Sequence, residues 1–166
     1  MGQNLSKELN IHHQDLDEMH WLPGWKSQPK EVLGQMIQDE IISLPEWIVT
    51  GNYTTAGRDS IWKDAQTIIW LDYRLPMILK RYVQRTYRRI RDKEEVCNGN
   101  VETLRNAIFT EEILLRYILK SHFTRRPLYK DWMTGEMRDK QWIVLKNQTE
   151  AEELIISSRE NLASSS

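Results

Sequence analysis

Between positions 72 and 93 the chain carries Arg74, Lys80, Arg81, Arg85, Arg88, Arg89, Arg91 and Lys93, opposed only by Asp72 and Asp92. If this stretch is helical, Arg81, Arg85 and Arg88 fall at i, i+4 and i+7 and share one face. Guanidinium forks match phosphate oxygens and neutralise charge on a triphosphate or a transferring phosphoryl group. The same run also suits a solvated helix face or a nucleic-acid backbone, and its spacing does not choose among the three. A second candidate is Asp17-Glu18-Met19-His20-Trp21-Leu22-Pro23-Gly24-Trp25, an acid followed by two indoles around a Pro-Gly turn. There the Asp17 carboxylate can accept from ribose or base while Trp21 or Trp25 stacks on it, and simple turn packing is the competing reading. A third is Thr50-Gly51-Asn52-Tyr53, where Gly51 admits a ligand close to the backbone and Asn52 and Tyr53 offer donors and acceptors. Asn98-Gly99-Asn100-Val101-Glu102-Thr103-Leu104-Arg105 adds a turn and one further arginine, Arg105.

Four short apolar runs read as strands and place these groups: Ile11 to Asp17, Trp47 to Thr50, Thr67 to Leu71 and Gln141 to Leu145. The last three are apolar on successive residues, the pattern of parallel strands covered on both faces. Helical spacing fills the intervals. Leu33, Ile37, Ile41 and Leu44 mark one helix after Pro29, and Ile78/Leu79, Tyr82/Val83, Thr86/Tyr87 and Ile90 predict the apolar face of another after Pro76. A third runs from near Thr110 to His122, and a fourth starts at the capping-box pattern Thr149-Glu150-Ala151-Glu152. Alternating strands and helices predict a doubly wound α/β domain whose ligand crevice lies beyond the carboxyl ends of the strands. Asp15, Asp17, Gly51 to Tyr53, Asp72 and Asn147 stand at those ends.

A chain of 166 residues, 40% hydrophobic and 28% charged, predicts one domain over 1–163 with a frayed tail at 164–166. Its net charge of -1 gives no global attraction to nucleic acid or membrane, so charge must act through local clusters. Cys97 is the single cysteine and forms no intramolecular disulfide, which fits a reducing compartment. No apolar stretch is long enough to span a bilayer and no signal-peptide pattern opens the chain, so a soluble, cytoplasmic protein without a membrane partner is the simplest expectation. His12, His13 and His20 match no familiar ligand spacing, and adjacent strand residues point to opposite faces, so no metal site is expected there.

Together, Leu16 to Trp25, Thr50 to Tyr53, Thr67 to Asp72, Arg81 to Arg89 and Asn98 to Arg105 resemble, in order, the adenylate-kinase-like P-loop nucleotide kinases of the group labelled DNA topology modulation proteins. The resemblance covers Leu5 to about Leu162. It implies a P-loop NTPase fold with a lid near 85–110, ATP and Mg²⁺ as cofactors, and a nucleotide or other small phosphate acceptor as partner. By the same resemblance Arg81, Arg85 and Arg88 act on phosphates. Asp17, Trp21, Trp25, Gly51, Asn52, Tyr53, Arg89 and Arg105 face substrate. The chain departs from the pattern at Thr50, where the family carries an acid, and it contains no Gly-Lys-Ser/Thr phosphate cradle. Leu5 to Asn10 reads as the end of the helix that follows such a loop. The expectation is therefore a domain lacking strand one and the P-loop, inactive or weak as a kinase. An upstream strand and P-loop would raise stability and ATP binding together. Nucleic-acid binding through the basic helix is the rival reading, as is an incomplete product of a longer reading frame.

Overall fold

The computed structural model describes residues 1–51, 61–101 and 104–164, with side chains described outside 104–114 and 161–164. Asn52 and Tyr53 lie outside the described residues. Arg105 lies on a described helix, but its side chain is outside them.

The chain forms two compact units, Met1–Ala65 with Gln148–Ser166, and Gln66–Asn147. The first unit opens with α1 (Gly2–Leu9), which ends at Asn10 in the left-handed conformation. The Asn10 N–H closes the last turn on the Ser6 carbonyl, and the Ser6 hydroxyl donates to the Ile11 carbonyl at 2.6 Å. Strand β1 (His12–Asp15) follows, then the short α2 (Leu16–His20). The sequence pattern extends a strand to Asp17. Instead the Asp15 carboxylate accepts the Asp17 N–H at 3.0 Å and caps a helical turn that starts at Leu16.

A small hairpin, β2 (Trp21–Leu22) and β3 (Lys26–Ser27), turns through Pro23, Gly24 at φ 77° and Trp25 at φ 58°. Next come α3 (Lys30–Ile37), a π-helical turn over Gln38–Ile42, and β4 (Trp47–Thr50). Three of the four positions of the predicted stripe, Leu33, Ile37 and Ile41, are buried and pack with Leu16, Met19 and Ile61, while Leu44 lies beyond the helical turn and is half-buried. β4 pairs in parallel with β1, with Asp15 opposite Thr50. The unit closes with α6 (Gln148–Ser164), which packs on α1.

The second unit holds β5 (Thr67–Leu71), α4 (Leu75–Asp92), the hairpin β6 (Glu95–Val96) and β7 (Asn100–Val101), α5 (Leu104–Thr134) and β8 (Gln141–Leu145). β5 and β8 pair in parallel from Thr67/Gln141 to Leu71/Leu145. Tyr129 joins the sheet to α5: its ring meets Trp70 edge-on at 5.3 Å and stacks on Trp132 at 5.5 Å. α5 is far longer than the predicted Thr110 to His122 and continues through Pro127.

The architecture is mixed α/β with small parallel sheets, each two-stranded among the described residues. No helix among those residues is long and apolar enough to cross a membrane.

Candidate functional site

In the first unit, the parallel register brings the carboxyl ends of β1 and β4 side by side and collects a polar group there. Gly51, directly after β4, has φ 118°, and a Cβ on it would lie 2.9 Å from Leu16 Cβ. Both facts exclude side chains at this position, because the conformation strains any L-residue and the space is already filled. The Gly51 backbone therefore lies against the start of α2, next to Asp17. Asp17 and Glu18 are exposed in the first turn of α2, while Leu16 and Met19 anchor that turn in the core.

The Trp21 N–H closes α2 on the Asp17 carbonyl, which ties the indole-bearing hairpin to the acid. Trp21 is held edge-on between His20 at 4.6 Å and Trp25 at 5.9 Å, and both indoles are half-buried. Contacts thus run from Gly51 to Leu16, through the backbone of α2 from Asp17 to Trp21, and on to Trp25. An exposed carboxylate and partly exposed indoles on neighbouring turns are groups that can bind a flat, hydrogen-bonding ligand such as a nucleoside.

Sequence reading missed the role of His13. Its Nε2 and the Thr50 Oγ1 share a hydrogen bond of 3.0 Å, and Gly2 of α1 sits so close that a Cβ there would lie 2.2 Å from Thr50 Cγ2 and 2.8 Å from His13 Nε2. Burial holds the imidazole below its ordinary value of 6.5, against the raising effect of Asp15 and Glu18. A base whose proton affinity is lower in the folded state adds stability that is complete above 6.5 and is lost as pH falls through the lower folded value. Melting temperature should therefore fall as pH drops below about 6.5, and His13→Gln should flatten that decline. A decline identical in both proteins would assign it to other groups. Among the described residues no cluster of His, Cys, Asp and Glu is arranged to hold a metal.

In the second unit, Asp72 follows β5, and its backbone N–H donates to the Leu145 carbonyl at 2.8 Å. Its carboxylate accepts from Arg126 Nε at 2.5 Å, with Asp72 only 15% exposed. That ion pair raises the Arg126 guanidinium further above its ordinary range. The pairing joins β5 to α5 and leaves Asp72 a structural partner, which no local sequence signal foretells.

Arg81, Arg85 and Arg88 are exposed along α4, as their spacing predicts. Arg81 lies 4.9 Å over the buried Tyr73 ring, Arg85 lies 5.9 Å from the Tyr82 ring, and Arg88 pairs with Glu94 at 3.3 Å. Arg89, one turn after Arg85 on the same helix, is half-buried. The predicted apolar face is only half correct. Tyr82 and Thr86 are buried, but Val83 and Tyr87 are 62% and 64% exposed.

Charge divides sharply with the fold. The first unit has 6 Lys and Arg against 14 Asp and Glu, a formal -8, and the second has 17 against 10, a formal +7. No family model, no characterised protein and no solved structure matches the chain.

Proposed function

We propose that this chain is a nucleotide-binding domain of the adenylate-kinase-like phosphotransferase class, binding a nucleoside at the strand ends of its first unit. The carrying observation is the union of the exposed Asp17 carboxylate, the Trp21/Trp25 pair and the close Gly51 backbone at the carboxyl ends of parallel β1 and β4. Ligands of parallel α/β sheets bind at such ends. The sequential resemblance to P-loop nucleotide kinases supports the same reading, with ATP and Mg²⁺ as the family's cofactors. On the second unit, taken by itself, the exposed Arg81, Arg85 and Arg88 stripe is a separate phosphate-binding surface. Within the 166 residues no Gly-Lys-Ser/Thr cradle is present and Thr50 stands where an acid would be, so the chain by itself binds nucleotide without efficient phosphotransfer.

Calorimetric titration tests this directly. A nucleoside monophosphate should bind more tightly than inorganic phosphate, and Asp17→Asn or Trp25→Ala should each weaken it by about tenfold, the equivalent of one charge-assisted hydrogen bond or one aromatic contact. Equal binding of phosphate and nucleotide, or wild-type affinity in both variants, would remove the nucleoside site.

The formal +7 of the second unit favours one alternative, nucleic-acid binding through α4. Salt separates the two readings: a duplex held through many phosphates is released steeply as salt rises, whereas a nucleoside pocket keeps its preference for base and ribose.

A further inference from the structure

Two helices expose complementary faces that the proposed nucleotide site does not use. On α4, Lys80, Val83, Tyr87 and Arg91 are all exposed and recur at three- and four-residue steps, a stripe separate from Arg81, Arg85 and Arg88. Arg91 lies 5.9 Å from the Tyr87 ring. It also forms a two-point contact with its neighbour Asp92 at 2.6 and 2.7 Å, which leaves other donors of its guanidinium for a further acceptor.

On α6, Ile156 is 57% exposed and is bracketed along the helix by Glu152, Glu153 and Glu160, with Arg159 as the one cation among them. Beside Ile156 is a cavity of about 310 Å³ lined by Glu8, Ile155, Ile156, Arg159 and Glu160. This is an apolar floor rimmed by Glu160 and by Glu8, whose carboxylate lies 3.9 Å from Arg159, with Glu152 and Glu153 one turn away. The α4 stripe is its inverse, a tyrosine flanked by cations. Arg91 lies one turn from Tyr87, and an acid lies one turn from Ile156 in either direction, Glu152 or Glu160. The match is better where Arg91 meets Glu152 and Glu153 than where it meets Glu160, which adjoins Arg159.

We propose that a second copy of this chain docks on α6, laying Tyr87 of its α4 into the cavity beside Ile156 and setting Lys80 and Arg91 against Glu152, Glu153 and Glu160. An aromatic anchor in a pocket supplies affinity, and the opposed charges set partner and register. The separation of -8 from +7 within one chain adds a long-range attraction between unlike units of two copies. Reciprocal engagement gives a closed two-fold dimer and one-sided engagement gives an open chain of copies.

Sedimentation velocity on the full chain at about 100 µM should show a dimer or larger species in about 20 mM salt that dissociates toward monomer in about 0.5 M salt. Tyr87→Ala, at an exposed position, should leave the melting temperature unchanged and weaken association by about tenfold or more. The decisive arm uses two charge-reversed proteins, Glu153→Lys with Glu160→Lys, and Lys80→Glu with Arg91→Glu. Each alone should stay monomeric, and an equimolar mixture should associate, because every α6 then meets an α4 of opposite sign. The proposal fails if the wild-type chain is a monomer at low salt, if Tyr87→Ala associates normally, or if the mixture stays monomeric. It also fails if α4 takes up a single-stranded oligonucleotide on a chain that never self-associates.

Discussion

Ile41→Ala is expected to destabilise the first unit by about 2–5 kcal/mol, the usual cost of emptying a fully buried aliphatic site that cannot collapse. Ile41 and Ile37 have no exposed surface, and they pack with Leu16, Met19, Leu33 and Ile61. Leu16 and Met19 belong to α2, so the cavity would open under the turn that presents Asp17. A domain of this size has only about 5–15 kcal/mol of total stability, so the loss is large. Nucleoside binding should weaken with it, because α2 would no longer be fixed against Gly51. Chemical denaturation followed by tryptophan fluorescence measures the first effect, and calorimetry at low temperature, where the variant remains folded, measures the second. A stability change under about 1 kcal/mol would mean that Ile41 does not fill a close-packed site.

The contrast between what was legible and what was not follows from the range of the interactions. Trp47–Thr50, Thr67–Leu71 and Gln141–Leu145 are strands to the residue, because each is a short apolar run bounded by polar or turn-forming residues. The first strand ends two residues early because the Asp15 cap is a local alternative that β propensity does not register. The third helix was underestimated at both ends. Thr124-Arg125-Arg126-Pro127 resembles a helix stop, yet Arg126 is held by Asp72 and Tyr129 packs on Trp70 beyond Pro127, so tertiary contacts carry the helix past it.

Charge shows the same limit. A net value of -1 suggests an electrostatically neutral molecule, because the far end of the chain, α6 with its four glutamates, rejoins the first unit. Only the fold reveals that acids and bases are sorted into separate bodies. Asp17, Trp21, Trp25 and Gly51 are candidates by residue type alone. The His13 contact with Thr50 is not legible that way, since it depends on the parallel register of β1 with β4.

Replacing Arg81, Arg85 and Arg88 together by Gln is expected to weaken binding of inorganic triphosphate by about a hundredfold while the fold persists. The two halves of that expectation rest on different contacts. Phosphate binding loses three guanidinium forks on one helix face, and a loss of about 1 kcal/mol from each exposed charge-assisted contact sums to roughly two powers of ten. Stability loses about 1–3 kcal/mol in all, less than a domain's total. The Arg88–Glu94 pair is 59% and 39% exposed, and exposed pairs contribute about 0–1 kcal/mol. Arg81 over Tyr73 and Arg85 beside Tyr82 each add about 0.5–1 kcal/mol at an exposed site. Gln keeps two of the three stem methylenes and the helix propensity, so the melting temperature should fall by several degrees with melting still cooperative. Changing the trio to Lys instead should retain part of the affinity, because the charge remains and the planar fork is lost. Triphosphate binding by the Gln variant at wild-type strength would make the stripe a solvated face. Loss of cooperative melting would make the three side chains structural, with the Tyr73 and Tyr82 contacts rather than phosphate as their purpose.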